Sequence, residues 1–152
     1  MVGRPQRLKP TDPPTGRCRA QSLTLSTVSL ARNTSSPAGV VSYRLARQHL
    51  VDAFARGRRT TEEICDAQPE LRRVAHSCAT PIAEPCPICE GDDLVAVTFA
   101  FGPGLPKHGR VLSDNAEMRK LRRRGRPATC YLIEVCRQCW WNHLRESYAV
   151  SG

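Results

Sequence analysis

Thr129-Cys130-Tyr131-Leu132-Ile133-Glu134-Val135 runs straight into Cys136-Arg137-Gln138-Cys139, and this junction decides the fold. The first seven residues predict a β-strand. The next four are a C-x-x-C turn, the spacing at which two thiolates can share one metal ion. A counterpart lies upstream, where Cys86-Pro87-Ile88-Cys89 precedes Leu94–Phe101. In that stretch Val95, Val97, Phe99 and Phe101 alternate with smaller residues, which again predicts a strand. A third strand is expected from Leu144 to Val150, with Leu144, Tyr148 and Val150 on one side. Pairing these strands brings both turns to one end of a small sheet. This is the arrangement of a zinc ribbon.

Four thiolates from Cys86, Cys89, Cys136 and Cys139 suit a tetrahedral ion with Zn–S bonds of about 2.3 Å. Such ligands are held deprotonated by the ion itself, and backbone N–H groups of each knuckle spread their charge. The 46 residues between Cys89 and Cys136 exceed what a minimal ribbon needs, so an insertion at the far end of the hairpin is expected. A rubredoxin-like iron site would use the same ligands. Zinc is favoured because no second redox motif or cofactor signature accompanies the cysteines. The alternative to a metal site is a set of buried or merely paired thiols. Cys65, Cys78 and Cys130 read as core and Cys18 as tail. His143, a conceivable substitute ligand, is expected to pack on Trp140 or Trp141.

A closed set of four thiolates leaves no position for a reactive water, which argues against catalysis at the metal. Thioredoxin-like chemistry needs one C-x-x-C at a helix N-terminus, whereas both motifs here sit at strand ends. No Walker loop, dinucleotide glycine pattern, H-E-x-x-H or nucleophile elbow is present. Glu117 and Asp114 are better explained by helix capping. The reading is therefore a non-enzymatic protein with no evident small-molecule substrate.

Apolar residues make up 40% of the 152-residue chain and aromatics only 5%, so the core is expected to be thin and to need a staple. The net charge of +9 favours acidic partners such as nucleic acid or a ribonucleoprotein or transcription complex. No run of about 18 apolar residues exists to cross a membrane, and no signal-peptide pattern opens the chain. A cytoplasmic, reducing setting is expected, in which paired cysteines are metal ligands.

Outward from the cysteines, residues 1–38 are basic and rich in Pro, Ser and Thr and read as a disordered tail. Residues 39–80 read as about three short helices. Tyr43, Ala46, Leu50, Ala53 and Phe54 give the first helix one apolar face, with Arg44, Arg47, Arg56 and Arg58 largely off it. Gly57 suits its C-terminus. Thr60-Thr61-Glu62-Glu63 has the form of a capping box, and Pro69 suits the first turn of the third helix. Leu71, Val74, Ala75 and Cys78 line its buried side. Residues 81–152 form the zinc-ribbon-like domain, with a basic insertion at 103–128 holding a short helix capped around Asp114. Arg119, Lys120, Arg122, Arg123, Arg124 and Arg126 make the densest cationic cluster and the candidate contact to phosphates. The competing reading is a solvated helix end whose cations oppose the negative dipole terminus. Of Trp140 and Trp141, one is expected to pack on the sheet. The other could stack a base or anchor a protein partner, although packing against the helices is the favoured role.

Several strings occur together and in order: Tyr43-Arg44-Leu45, Gly57-Arg58-Arg59, Glu63 through Leu71, Cys86-Pro87-Ile88-Cys89, Cys130 through Cys136, and Trp141-Asn142-His143-Leu144. In this the chain resembles a family of small actinobacterial proteins known only as a domain of unknown function. The resemblance spans roughly residues 40–150. It implies a bacterial cytoplasmic protein with a zinc-ribbon-like C-terminal half and the four cysteines as ligands, and it brings no established activity. The fold class expected is α+β, short helices packed on a small antiparallel sheet.

Overall fold

Three long strands organise the protein. The computed structural model describes residues 39–151, so the tail expected at 1–38 lies outside the described residues. In chain order the elements are β1 (Val41–Ser42), α1 (Arg44–Ala55), α2 (Thr61–Ile64), α3 (Pro69–Ser77) and β2 (Thr80–Pro81). They continue with β3 (Leu94–Phe101), β4 (Arg110–Val111), α4 (Asn115–Arg123), β5 (Ala128–Cys136) and β6 (Asn142–Val150). The sheet is antiparallel in the order β1-β6-β5-β3-β2, and β4 pairs with β3 near its far end. The fold is α+β.

Local chemistry sets the helix ends. The carboxylate of Glu63 accepts a hydrogen bond from the Thr60 N–H at 2.8 Å, which fixes the start of α2. Pro69 occupies the first turn of α3, where its missing N–H costs nothing. Asp114 caps α4 by accepting from the Glu117 N–H at 2.8 Å. Gly57, at φ +66°, takes the left-handed position just past the end of α1.

Strand alternation sorts the side chains into two faces, and the helices cover them in quarters. On one face, at the cysteine end, Leu94, Cys136 and Trp141 pack with Ile64 of α2 and with Leu50, Val51 and Phe54 of α1. At the far end of that face Ala100, Cys130 and Val150 meet Leu121 and Met118 of α4. On the other face α3 lays Ala75, Leu71 and Val74 over Val95, Val97 and Val135 at the cysteine end. Trp141 is fully buried. Removing an aromatic side chain of ~150–250 Å² from water is worth about 4–6 kcal/mol before entropy.

Two details depart from the sequence reading. Leu132 pairs with Glu146 but Ile133 with Leu144, so Arg145 is an extra residue in β6. This bulge puts Leu144 on the opposite face from Tyr148 and Val150, where plain alternation had them together. In α1, Ala46 is exposed, whereas Arg47 is half-buried and turned towards the sheet. The reason is a charge inside the core.

Candidate metal centre

Each C-x-x-C segment folds into the same knuckle. In the first, the Cys86 N–H donates to the Gly91 carbonyl and the Glu90 N–H to the Cys86 carbonyl, both at 2.9 Å. In the second, the Cys136 N–H donates to the Trp141 carbonyl at 2.8 Å and the Trp140 N–H to the Cys136 carbonyl at 2.9 Å. The residue after each second cysteine takes a left-handed conformation, Glu90 at φ 58° and Trp140 at φ 68°. Left-handed geometry turns the chain back towards its first cysteine, so both sulfurs of a pair point the same way. The cross-strand pair Leu94 and Cys136 then sets the two knuckles side by side at one end of the sheet.

The four sulfurs of Cys86, Cys89, Cys136 and Cys139 lie within 4.8 Å of one another. The Sγ atoms of Cys86 and Cys139 are 3.7 Å apart, and those of Cys89 and Cys136 are 3.6 Å apart. A tetrahedron with Zn–S bonds of about 2.3 Å has edges of about 3.8 Å. Two of the six sulfur–sulfur distances match that edge and none exceeds 4.8 Å, so the donor set suits a four-coordinate ion. It could hold a metal ion.

Cys86 and Cys139 are biased against giving up their protons on their own. Burial pushes the Cys86 thiol up to about 11, against the pull of the Cys89 and Ile88 N–H groups. Cys139 is raised as well, first by burial, although the Trp141 N–H donates to its sulfur at 3.5 Å. At Cys89 some burial works upward, but the Gly91 N–H and the neighbouring thiols bring it below its ordinary value. A cation held at the centre would supply the charge that lets all four ionise.

Other sequence candidates find different places. Cys130 is buried and interacts with the Tyr148 hydroxyl in the α4 core. Cys78 is half-buried at the end of α3. Cys65, expected only as core, packs beside the cluster with its thiol hydrogen-bonded to Cys139, and burial pushes it up. His143 stacks on Trp141 at 5.8 Å and 11°. Trp140 packs against α3, with the Arg72 guanidinium over its ring at 4.8 Å and the His76 ring edge-on at 5.4 Å. That is the favoured helix-packing role.

The sequence reading missed Glu134. It is fully buried, accepting from Arg47 Nε at 2.6 Å and from Trp141 Nε1 at 2.9 Å, with Arg145 at 3.6 Å from its other oxygen. The signal was available: Glu134 shares its strand face with Cys130 and Cys136, where a lone acid demands partners. Arg47 is that partner, which ties α1 to the strand carrying Cys136.

The basic cluster is partly engaged. Lys120 pairs with Glu117 at 2.8 Å, and Arg110 pairs with the same carboxylate at 2.6 Å. Hydrogen bonding from Lys120, and then the Arg110 charge, hold the Glu117 carboxyl below its usual range. Arg124 donates to the Pro103 and Gly104 carbonyls at 3.2 and 3.0 Å. Arg119, Arg122, Arg123 and Arg126 are exposed. No helix among the described residues is long and apolar enough to cross a membrane.

Residues 34–152 match a family described as a family of unknown function, DUF5318. An uncharacterized protein of Mycobacterium tuberculosis is 34% identical over 112 residues, which is 74% of this chain and 82% of the relative. An uncharacterized protein of Mycobacterium bovis matches with the same identity and coverage. No solved structure matches the chain.

Proposed function

We propose, for a chain that belongs to this family of unknown function, a non-enzymatic role: a zinc-stapled scaffold that binds nucleic acid, or a transcription or translation complex, through its basic surface. The observation that carries the metal part is the convergence of four sulfurs within 4.8 Å of one another, two pairs of them at 3.6 and 3.7 Å. Bound zinc would cross-link two chain segments that a thin core holds weakly. Four thiolates saturate it, so the site is structural. Zinc is preferred to iron because nothing beside the thiols suggests electron transfer. Elemental analysis tests this: one zinc per chain is expected, and a coloured, iron-loaded protein would sink it.

The binding part rests on the exposed guanidinium groups at the end of α4 and on the +9 charge. Each phosphate neutralised releases counterions, so affinity should fall steeply between low and moderate salt. Anisotropy titration checks this, and absent or salt-independent binding would refute it. A cytoplasmic setting accords with reduced thiolates as ligands. The second reading is a protein adaptor indifferent to nucleic acid. It is favoured by exposed apolar side chains around the start of α1, Val40, Val41 and Leu45, the last 88% exposed. A pull-down that survives nuclease and salt would select it.

A further inference from the structure

Four cysteines make up the candidate metal centre, and Cys65 stands against it without joining it. Cys65 closes α2, where its N–H donates to the Thr61 carbonyl at 2.8 Å. The two residues that follow are fastened to the chain just past Cys139. The Ala67 N–H donates to the Trp140 carbonyl at 3.2 Å, and the Asn142 side-chain amide donates to the Asp66 carboxylate at 3.1 Å. These bonds lay Cys65 beside the second knuckle, where its thiol is hydrogen-bonded with that of Cys139. Both residues are half-buried, within reach of a small solute, whereas Cys86 and Cys136 are buried. Ligand duty does not account for this sulfur. Core packing accounts for it little better, since its neighbour Ile64 supplies the buried side chain of α2.

We propose that Cys65 is a redox-responsive thiol: when a hydroperoxide oxidises the centre, it forms a disulfide with Cys139 that withdraws a ligand and releases the zinc. The inference rests on the zinc reading above and goes beyond it. The Cys139 thiolate attacks hydrogen peroxide; an S–O bond forms, the O–O bond breaks and hydroxide leaves. The Cys65 sulfur then attacks the resulting sulfenic acid. An S–S bond forms, the S–O bond breaks, and the departing hydroxide carries the Cys65 proton away as water. Two sulfurs have given two electrons to one peroxide. The other three sulfurs of the centre would be held as ligands, which leaves Cys65 as the thiol placed to attack. Three ligands hold zinc less firmly than four. The new bond ties the end of α2 to the second knuckle, so the helices stay docked while the first knuckle loses its cross-link.

The test exposes the full chain, purified under reducing conditions and loaded with zinc, to hydrogen peroxide. Released metal is read with a chromogenic chelator, and cross-linked peptides are mapped by mass spectrometry without reduction. The parent should release its zinc and yield a Cys65–Cys139 disulfide, and dithiothreitol should restore binding. Cys65→Ser keeps a hydrogen-bond donor beside Cys139 but cannot form the bond. It should load zinc as the parent does and keep it through the same exposure. Equal release from Cys65→Ser, or disulfides confined to the four ligands, overturns the switch and leaves the zinc reading standing. A parent that keeps its metal under peroxide does the same. A parent that takes up no zinc before oxidation overturns both. The pairing mapped in the parent decides the matter even where Cys65→Ser folds poorly.

Discussion

The knuckle at Cys86–Gly91 and the knuckle at Cys136–Trp141 close with matching hydrogen bonds, yet they sit in different surroundings. In the first, the left-handed residue is an exposed glutamate. Gly91 beside it passes so close to Gln138 that a Cβ would meet the Gln138 amide oxygen at 1.6 Å. In the second, the left-handed residue is Trp140, held on α3, and Trp141 is sealed beneath α1 and α2. Ligand spacing dictates the backbone in both. The residues after the second cysteine decide which knuckle holds the helices.

The largest expected effect ignores this asymmetry. If one ion serves both knuckles, as proposed, Cys89→Ser and Cys139→Ser should each lose stability on the order of 10 kcal/mol. Circular dichroism should show a lost C-terminal fold in either variant, and so should a strong chelator applied to the parent. A Cys89→Ser protein that stays folded would break the symmetry at its root.

The next effect exposes the difference. Trp141→Ala should cost about 3–5 kcal/mol by denaturant titration, against about 1–2 for Ile88→Ala in the first knuckle. Arg47→Met removes the nearest cation from buried Glu134 and should cost about 3 kcal/mol. Equal losses at Trp141 and Ile88 would show that the knuckles bear the fold alike.

A smaller and opposite effect sharpens it. A non-glycine residue pays roughly 1 kcal/mol in left-handed geometry. Glu90→Gly should therefore raise the melting temperature slightly, whereas Trp140→Gly should lower it through the lost α3 contact. The smallest effect is alkaline and lies far from both knuckles. Burial, and then Cys130, push the Tyr148 hydroxyl up to about 12. Its raised value means the folded protein binds more protons than the unfolded chain above pH ~10. Stability from this group is complete below that pH and is lost as pH rises through about 12. A tyrosinate absorbance titration with one late transition, absent in Tyr148→Phe, checks it.

Much of this was legible in sequence. The C-x-x-C spacing, the alternation in Leu94–Phe101 and the capping pattern at Thr60 are local and periodic, and each has its expected form in the structure. What escaped depends on partners distant in the chain. Two-residue strands such as β1 and β4 have no period to detect. The left-handed turns at Glu90 and Trp140 contradict residue preference, since glycine normally takes such positions. Glu134 was readable as an anomaly, but its need for Arg47 became visible only with α1 on that face. The side of the sheet that Leu144 occupies was not readable, because a bulge is a property of a pair of strands.

That bulge has a role beyond parity. Released from the β5 ladder, Arg145 offers its carbonyl to the Tyr43 N–H at 2.9 Å, at the doorstep of α1. Its side chain meanwhile reaches Glu84 and Glu134, each at 3.6 Å. The surplus residue thus works as a mooring post. Deleting it would leave every remaining side chain of the hairpin on its present side and the ribbon better aligned, while the first helix came adrift.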